Sequence, residues 1–385
     1  MNRARRSGRY PLAYIPFFAA ALIFGAVTIP LWVLAYGGIT AACADCDPFA
    51  RHAHELLFGY ALAVVGGFLF TKVGKGALAV AFICWLAARA AVFADLEPTP
   101  MTAALALAFP VCVFLFAGLP FLKAARTAHN AVFAPVLGAF MFAELVFQLG
   151  SLGWLTEGER RGVYLALDLV TLLLFVMGGR VIPAATAGAV RELGGYLRIR
   201  VQPRVEWTGI GALAAVLLCD LLSLAPDLAG LLSMLAGAAA LVRLSRWEPW
   251  RIVSRPDMWT LHLGYAWLGV GLILTGLARA DLALPPGDAV HAITVGALGT
   301  LSLAMMARTA MQRGGLPTRF PAAITTAIAL MSLSSALRLL AGYGDRPTLV
   351  GTAGIVWSAA LLLFLAGSAP AFRHALRRHA AAASA

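Results

Sequence analysis

The sequence predicts an all-α, polytopic membrane protein of about twelve transmembrane helices, and three observations predict it. The 385 residues are 61% hydrophobic and only 12% charged, with mean hydropathy +0.83, far more apolar surface than a soluble domain of this length needs. The apolar residues fall in runs of about 20, the length that crosses a bilayer as a helix. The runs are apolar all round, without the alternation of a membrane β-strand.

Taken in order, the first span runs from Leu12 to about Gly37, after a basic tail holding Arg3, Arg5, Arg6 and Arg9. It is too long for a signal-peptide core and lacks a small-residue cleavage site. Further spans are expected near 53–71, 77–94, 101–119, 130–149 and 162–179. The longest polar stretch, 180–206, then divides the chain as a connecting segment too short to fold alone. Six more spans follow near 207–225, 227–243, 257–278, 289–307, 320–341 and 348–367, and a basic tail, 368–385, closes the chain. Residues 1–385 therefore form one integral membrane domain, and its two groups of six, within 1–179 and 207–367, suggest an internal duplication for which no residue-level repeat is found. Lys and Arg gather in the two tails and the even-numbered loops, and the acids in the odd-numbered loops. Positive charge stays inside, so both termini are expected in the cytoplasm. The +12 formal charge reflects these orienting clusters; no basic stripe with interleaved aromatics suggests nucleic acid. A phosphate-binding loop, a dinucleotide fingerprint and a C-x-x-C-H haem-attachment motif are all lacking.

Ionisable residues inside spans are costly and mark function by default. His52, His54 and Glu55 lie at the outer end of the second span, and His291 opens the tenth, also at the outer end. His262 enters from the other side, about 6 Å inside the inner boundary at 1.5 Å per residue. One outer site could thus hold His52, His54 and His291, with His262 belonging to another. Positions two apart on a helix point about 200° apart, so His52 and His54 can share a metal only if the helix begins between them, near Ala53. The face Glu55, Gly59, Leu62, Gly66 carries little bulk and admits a partner helix or a flat macrocycle. His262, Ala266, Gly269 and Gly276 make a similar face. Glu144, one turn from Gln148, together with Asp168 and Asp220, either lines a cavity or proton route or simply pairs with arginines such as Arg338 or Arg160. Cys43 and Cys46, in the outer loop, suit a disulfide or a soft-metal site; Cys84, Cys112 and Cys219 are read as packing residues. Four membrane-level histidines among seven in the chain are too few for a haem-copper oxidase centre.

Several segments together resemble the NnrS family: H52-A-H54-E55-L-L-F58-G59-Y with G66-G67, G178-G179-R180-V-I-P183-A-A-T186, H262-L-G264-Y265-A-W267, and H291-A-I-T294-V-G296-A-L-G299-T300 continuing to M305-M306-A-R308. They run in the family's order over most of the chain. The resemblance implies a multi-pass inner-membrane protein holding non-covalent b-type haem and copper and associated with nitric oxide metabolism and nitrosative-stress defence. Such a protein would work in the lipid bilayer on nitric oxide or iron-nitrosyl species, with an electron donor. Matching motifs carry over His52, His54, His262 and His291 as metal or haem ligands, with His54 and His291 foremost. Glu55 would fix a histidine tautomer, and Arg180 and Arg308 would pair with haem propionates or serve as ordinary anchors. After the tenth span this chain has Arg313 where the family often has histidine, which removes a partner expected for His262. A secondary transporter of a small solute or metal ion, using the same histidines and acids, is the competing expectation. A sensor or assembly factor without turnover is a weaker one.

Overall fold

The computed structural model describes residues 12–39, 48–124, 133–282 and 284–384. Cys43 and Cys46 lie outside these residues. Among the described residues there is no strand, and twelve helices are long and apolar enough to cross a membrane. They are α1 (Tyr14–Tyr36), α2 (Phe49–Leu69), α3 (Lys75–Phe93), α4 (Pro100–Gly118), α5 (Phe133–Ser151), α6 (Gly158–Glu192), α7 (Pro203–Leu222), α8 (Pro226–Arg246), α9 (Pro256–Arg279), α10 (Pro286–Gly314), α11 (Ala322–Leu340) and α12 (Arg346–Ser384).

Local chemistry explains several starts. Proline occupies the first turn of α4, α7, α8 and α9, where its missing N–H costs nothing. Thr99 caps α4: its hydroxyl accepts from the Thr102 amide at 3.2 Å while the Thr102 hydroxyl accepts from the Thr99 amide at 2.8 Å.

Three expected boundaries are corrected. α6 continues past residue 179 to Glu192, because the Ala-rich stretch after Pro183 is itself a good helix former. Arg180 therefore sits inside a helix, and the connecting segment shrinks to 193–202. α12 likewise carries the basic tail onward to Ser384. The helical run that becomes α2 opens at Pro48, ahead of both His52 and His54. Three spans also contain wide π-helical stretches, Glu55–Ala61 in α2, Phe114–Gly118 in α4 and Ala292–Gly299 in α10.

The chain divides into two compact units. The first comprises Met1–Leu169, Thr309–Leu316 and Ala369–Ala385. Its core is aromatic: Phe17 stacks on Phe109 at 5.6 Å and meets Phe70 and Phe82 edge-on at 5.5 and 5.4 Å.

The second unit comprises Val170–Arg308 and Pro317–Ser368 and is packed through small residues. On α8 and α9 the glycines pair antiparallel, Gly230 with Gly276 and Gly237 with Gly269. A Cβ added at Gly237 would come within 2.7 Å of the Gly269 carbonyl oxygen. Lipid offers no hydrophobic drive to press helices together, so close backbone approach supplies the contact. The low-bulk face of α9 is thus filled by a neighbouring helix. Replacing Gly237 by Leu should lower the thermal midpoint of the detergent-purified protein, at a cost of about 1–3 kcal/mol for overpacking. Gly211→Ala, where nothing lies within 4 Å, should leave it unchanged.

Candidate functional site

In the first unit, α2 presents its charged residues to α3 and α5. His54 is 3% exposed, Glu55 3%, Arg89 3% and Glu144 fully buried. The Arg89 Nη1 donates to Glu55 Oε2 at 2.5 Å. The other Glu55 oxygen lies 2.8 Å from His54 Nδ1. His54 Nε2 sits 3.0 and 2.9 Å from the two oxygens of Glu144, whose Oε1 also accepts from Gln148 Nε2 at 2.8 Å. The imidazole is stacked on Phe147 at 4.1 Å. Each nitrogen–carboxylate contact needs one hydrogen between its atoms, so His54, Glu55 and Glu144 together hold two protons. Counted with Arg89, the cluster is neutral, which is what a low-dielectric interior demands. Gly59, one turn on, leaves room for Phe24 and Arg89. A partner helix and a guanidinium therefore fill the low-bulk face of α2, where a macrocycle was the alternative.

His52 does not share this surrounding. Its ring stacks on Trp32 at 4.3 Å, on α1, while His54 faces α5. Both lie in one continuous helix, so the helix start needed between them is missing and the two rings diverge. The arrangement expected from a start near Ala53 is corrected on this point.

In the second unit three family-like segments meet in space. Gly178 takes the Tyr265 ring and Gly179 the Arg243 guanidinium, each too close to admit a Cβ. The buried Arg243 donates to the Tyr265 hydroxyl at 3.1 Å and pairs with Glu206 at 3.6 Å. Thr186 spends its single hydroxyl proton on the Ile182 carbonyl at 2.8 Å. Its oxygen must then accept from His262 Nε2, 3.0 Å away. That fixes the tautomer: His262 Nδ1 carries the lone pair, is buried, and has no hydrogen-bond partner among the described residues. His262 as a whole is 4% exposed.

His291 shows the complementary pattern. Its Nδ1 donates to the Gly287 carbonyl at 2.7 Å, the tautomer-fixing contact usual for a ligating histidine, so the lone pair belongs to Nε2. One turn earlier the fully buried Asp288 accepts from Arg338 at 2.5 Å and from Arg346 at 2.7 Å. Register separates the two histidines. Gly264 packs against Leu301 and Gly271 against Ile293, which sets His291 and His262 about 16 Å apart along α9 at 1.5 Å per residue. One metal ion cannot bridge them.

The remaining sequence-marked residues are placed as follows. Asp220 forms a two-pronged salt bridge with Arg279 at 2.7 and 2.5 Å, so it is a counter-ion, to an arginine the sequence reading did not name. Asp168 is half-buried on α6. Arg180 is half-buried beside Gly179. Arg308 is buried, 4.0 Å from Asp257, and its Nη1 has no hydrogen-bond acceptor among the described residues. Arg255, just ahead of α9, is held charged above its usual range, first by its hydrogen bond to Asp257. Arg313 donates to the Phe68 carbonyl at 3.1 Å and lies over the Tyr14 ring, in the first unit. Among the described residues no three His, Cys, Asp or Glu side chains gather as a metal-binding group. Sequence reading missed Arg89, Arg243, Asp257 and Asp288; Arg89 is signalled by a charge within an apolar run, whereas the other three fall at span ends, where a charge is ordinary.

These features define a membrane protein of twelve candidate spans in which most of the buried charges named above meet a counter-charge in the same unit, Arg308 being the least well matched. A family model described as NnrS protein matches residues 10–375, nearly the whole chain. The chain belongs to the NnrS family. No curated protein matches it.

If the first-unit cluster is held by charge balance, Arg89→Met alone should destabilise the protein by about 3–5 kcal/mol, because Glu55 is left buried and uncompensated. Arg89→Met with Glu55→Gln should recover most of the loss in a thermal melt. Equal loss in the single and double variants would refute the coupling.

Proposed function

We propose that this chain is a haem-binding protein of the inner membrane, both termini cytoplasmic, acting in nitric oxide metabolism or nitrosative-stress defence. One observation carries the reading: His262 is locked in a tautomer whose Nδ1 lone pair is buried and unused. A lone pair placed so is a costly defect unless an electron-pair acceptor meets it. Support also comes from His291, whose Nδ1–H contact with a carbonyl orients Nε2 for ligation, and from the Arg308 Nη1, a buried donor suited to a carboxylate such as a propionate.

Fit differs among the histidines. His262 and His291 would hold metal groups, at separate levels. His54 does not fit a ligand role as arranged, since carboxylates engage both its nitrogens. Copper rests on the family resemblance alone, since among the described residues no three His, Cys, Asp or Glu side chains form a metal-binding group. Haem, when bound, would supply an iron able to take nitric oxide. The chain's own contribution is to hold the imidazoles in single tautomers, to present Arg308 to an acidic group, and to exclude water by burial.

An optical spectrum of the purified full-length protein, with and without nitric oxide, tests this. A Soret band is expected, reduced at least by half in His262→Ala and retained in His54→Gln. Wild-type protein with no Soret band would overturn the reading, whatever its copper content. A second reading, proton-coupled transport of a small solute, is favoured by the neutral His54–Glu55–Glu144–Arg89 cluster. It requires solute flux in proteoliposomes and no bound chromophore.

A further inference from the structure

The far end of α12 presents a face that none of the foregoing uses. The helix has 39 residues, about 58 Å at 1.5 Å per residue, nearly twice the ~30 Å hydrocarbon core. After Arg346 it is uncharged until P370-A-F-R373-H374-A-L-R377-R378-H. Pro370, Arg373, His374, Arg377 and Arg378 recur at helical spacing and line one cavity of about 480 Å³. The opposite face is buried: Ala371, Phe372 and Ala375 pack inward, and Phe372 meets Tyr14 edge-on at 6.2 Å. Arg378 Nη1 donates to the Gly314 carbonyl at 2.7 Å, which pins the helix and fixes the face.

Charge is what this face lacks on one side. The last acidic residue of the chain is Asp345, and none of Arg373, Arg377 and Arg378 has an ion-pair partner among the described residues. The buried Nδ1 of His374 is without a hydrogen-bond partner among them as well. Three guanidinium groups around one cavity match the oxygens of a phosphate, which they can grip in pairs. Depth narrows the source. Residues 370–378 begin about 5 Å beyond Gly367, where the apolar stretch ends, and reach about 17 Å beyond it. Arginine stems fold back toward the interface, so the guanidiniums lie in the headgroup layer.

We propose that this face binds the headgroup phosphate of an anionic phospholipid. The full-length protein would be purified in mild detergent and exposed to phosphatidylglycerol or phosphatidylcholine, with retained lipid counted by native mass spectrometry. Wild type should hold phosphatidylglycerol about tenfold or more over phosphatidylcholine, as expected for several basic groups acting at one headgroup. Arg373→Gln with Arg377→Gln should abolish that preference, and Arg377→Lys should weaken it. Arg198→Gln with Arg200→Gln, removing the same charge from the exposed segment after α6, should keep it. Equal loss in both double variants would overturn the proposal in favour of bulk charge attraction. Displacement of the lipid by millimolar inorganic phosphate would overturn it in favour of a free phosphate site.

Discussion

A charge inside a bilayer must find its opposite within a few ångströms, and that requirement organises this molecule. In the first unit Arg89 meets Glu55, and His54 spans Glu55 and Glu144. In the second, Arg243 meets Glu206, Arg279 meets Asp220, and Asp288 serves both Arg338 and Arg346. Apart from the adjacent His54 and Glu55, each pair joins residues distant in sequence, so it fixes which helices are neighbours and at what height. Apolar packing alone is permissive about both, because lipid tails and leucine side chains are nearly equivalent.

All twelve spans were legible in the sequence, since length and continuous apolarity suffice to identify them. Their ends were less so. Ala-rich continuations after Pro183 and after Pro370 stay helical beyond the membrane, where hydropathy gives no signal. The helix start before His52 was likewise missed, because P48-F-A-R does not sustain an apolar run, although Asp47 followed by Pro48 is a start signal in the sequence. Of the candidate site, the residue types were legible and the partnerships were not. Glu144 and Gln148 could be placed one turn apart by period, yet nothing in one sequence names His54 as Glu144's partner. Arg89 went unread although it stands alone within an apolar run, the kind of position where a charge implies a counter-charge.

The glycine and threonine positions of the resembling segments acquire a physical meaning in the second unit. Gly178 and Gly179 are small because Tyr265 and Arg243 occupy the space a side chain would take. Thr186 is a hydroxyl because it must donate one hydrogen bond to a carbonyl and accept another from an imidazole. These are constraints of volume and hydrogen count, and each ties one segment of the motif to another.

The π-helical stretches directly after His54 and His291 carry a consequence for how such a chain tolerates change. A π-turn accommodates one residue more than an α-turn. Deleting a single residue within 55–61 would let the stretch close to the ordinary period and leave the helix before it facing nearly as it does. The same deletion in the α-helical part of the span, after Ala61, would swing everything before it by about 100° about the helix axis. The aim of His54 is therefore set by a count of residues as much as by their kind, and the wide stretch is where that count has slack.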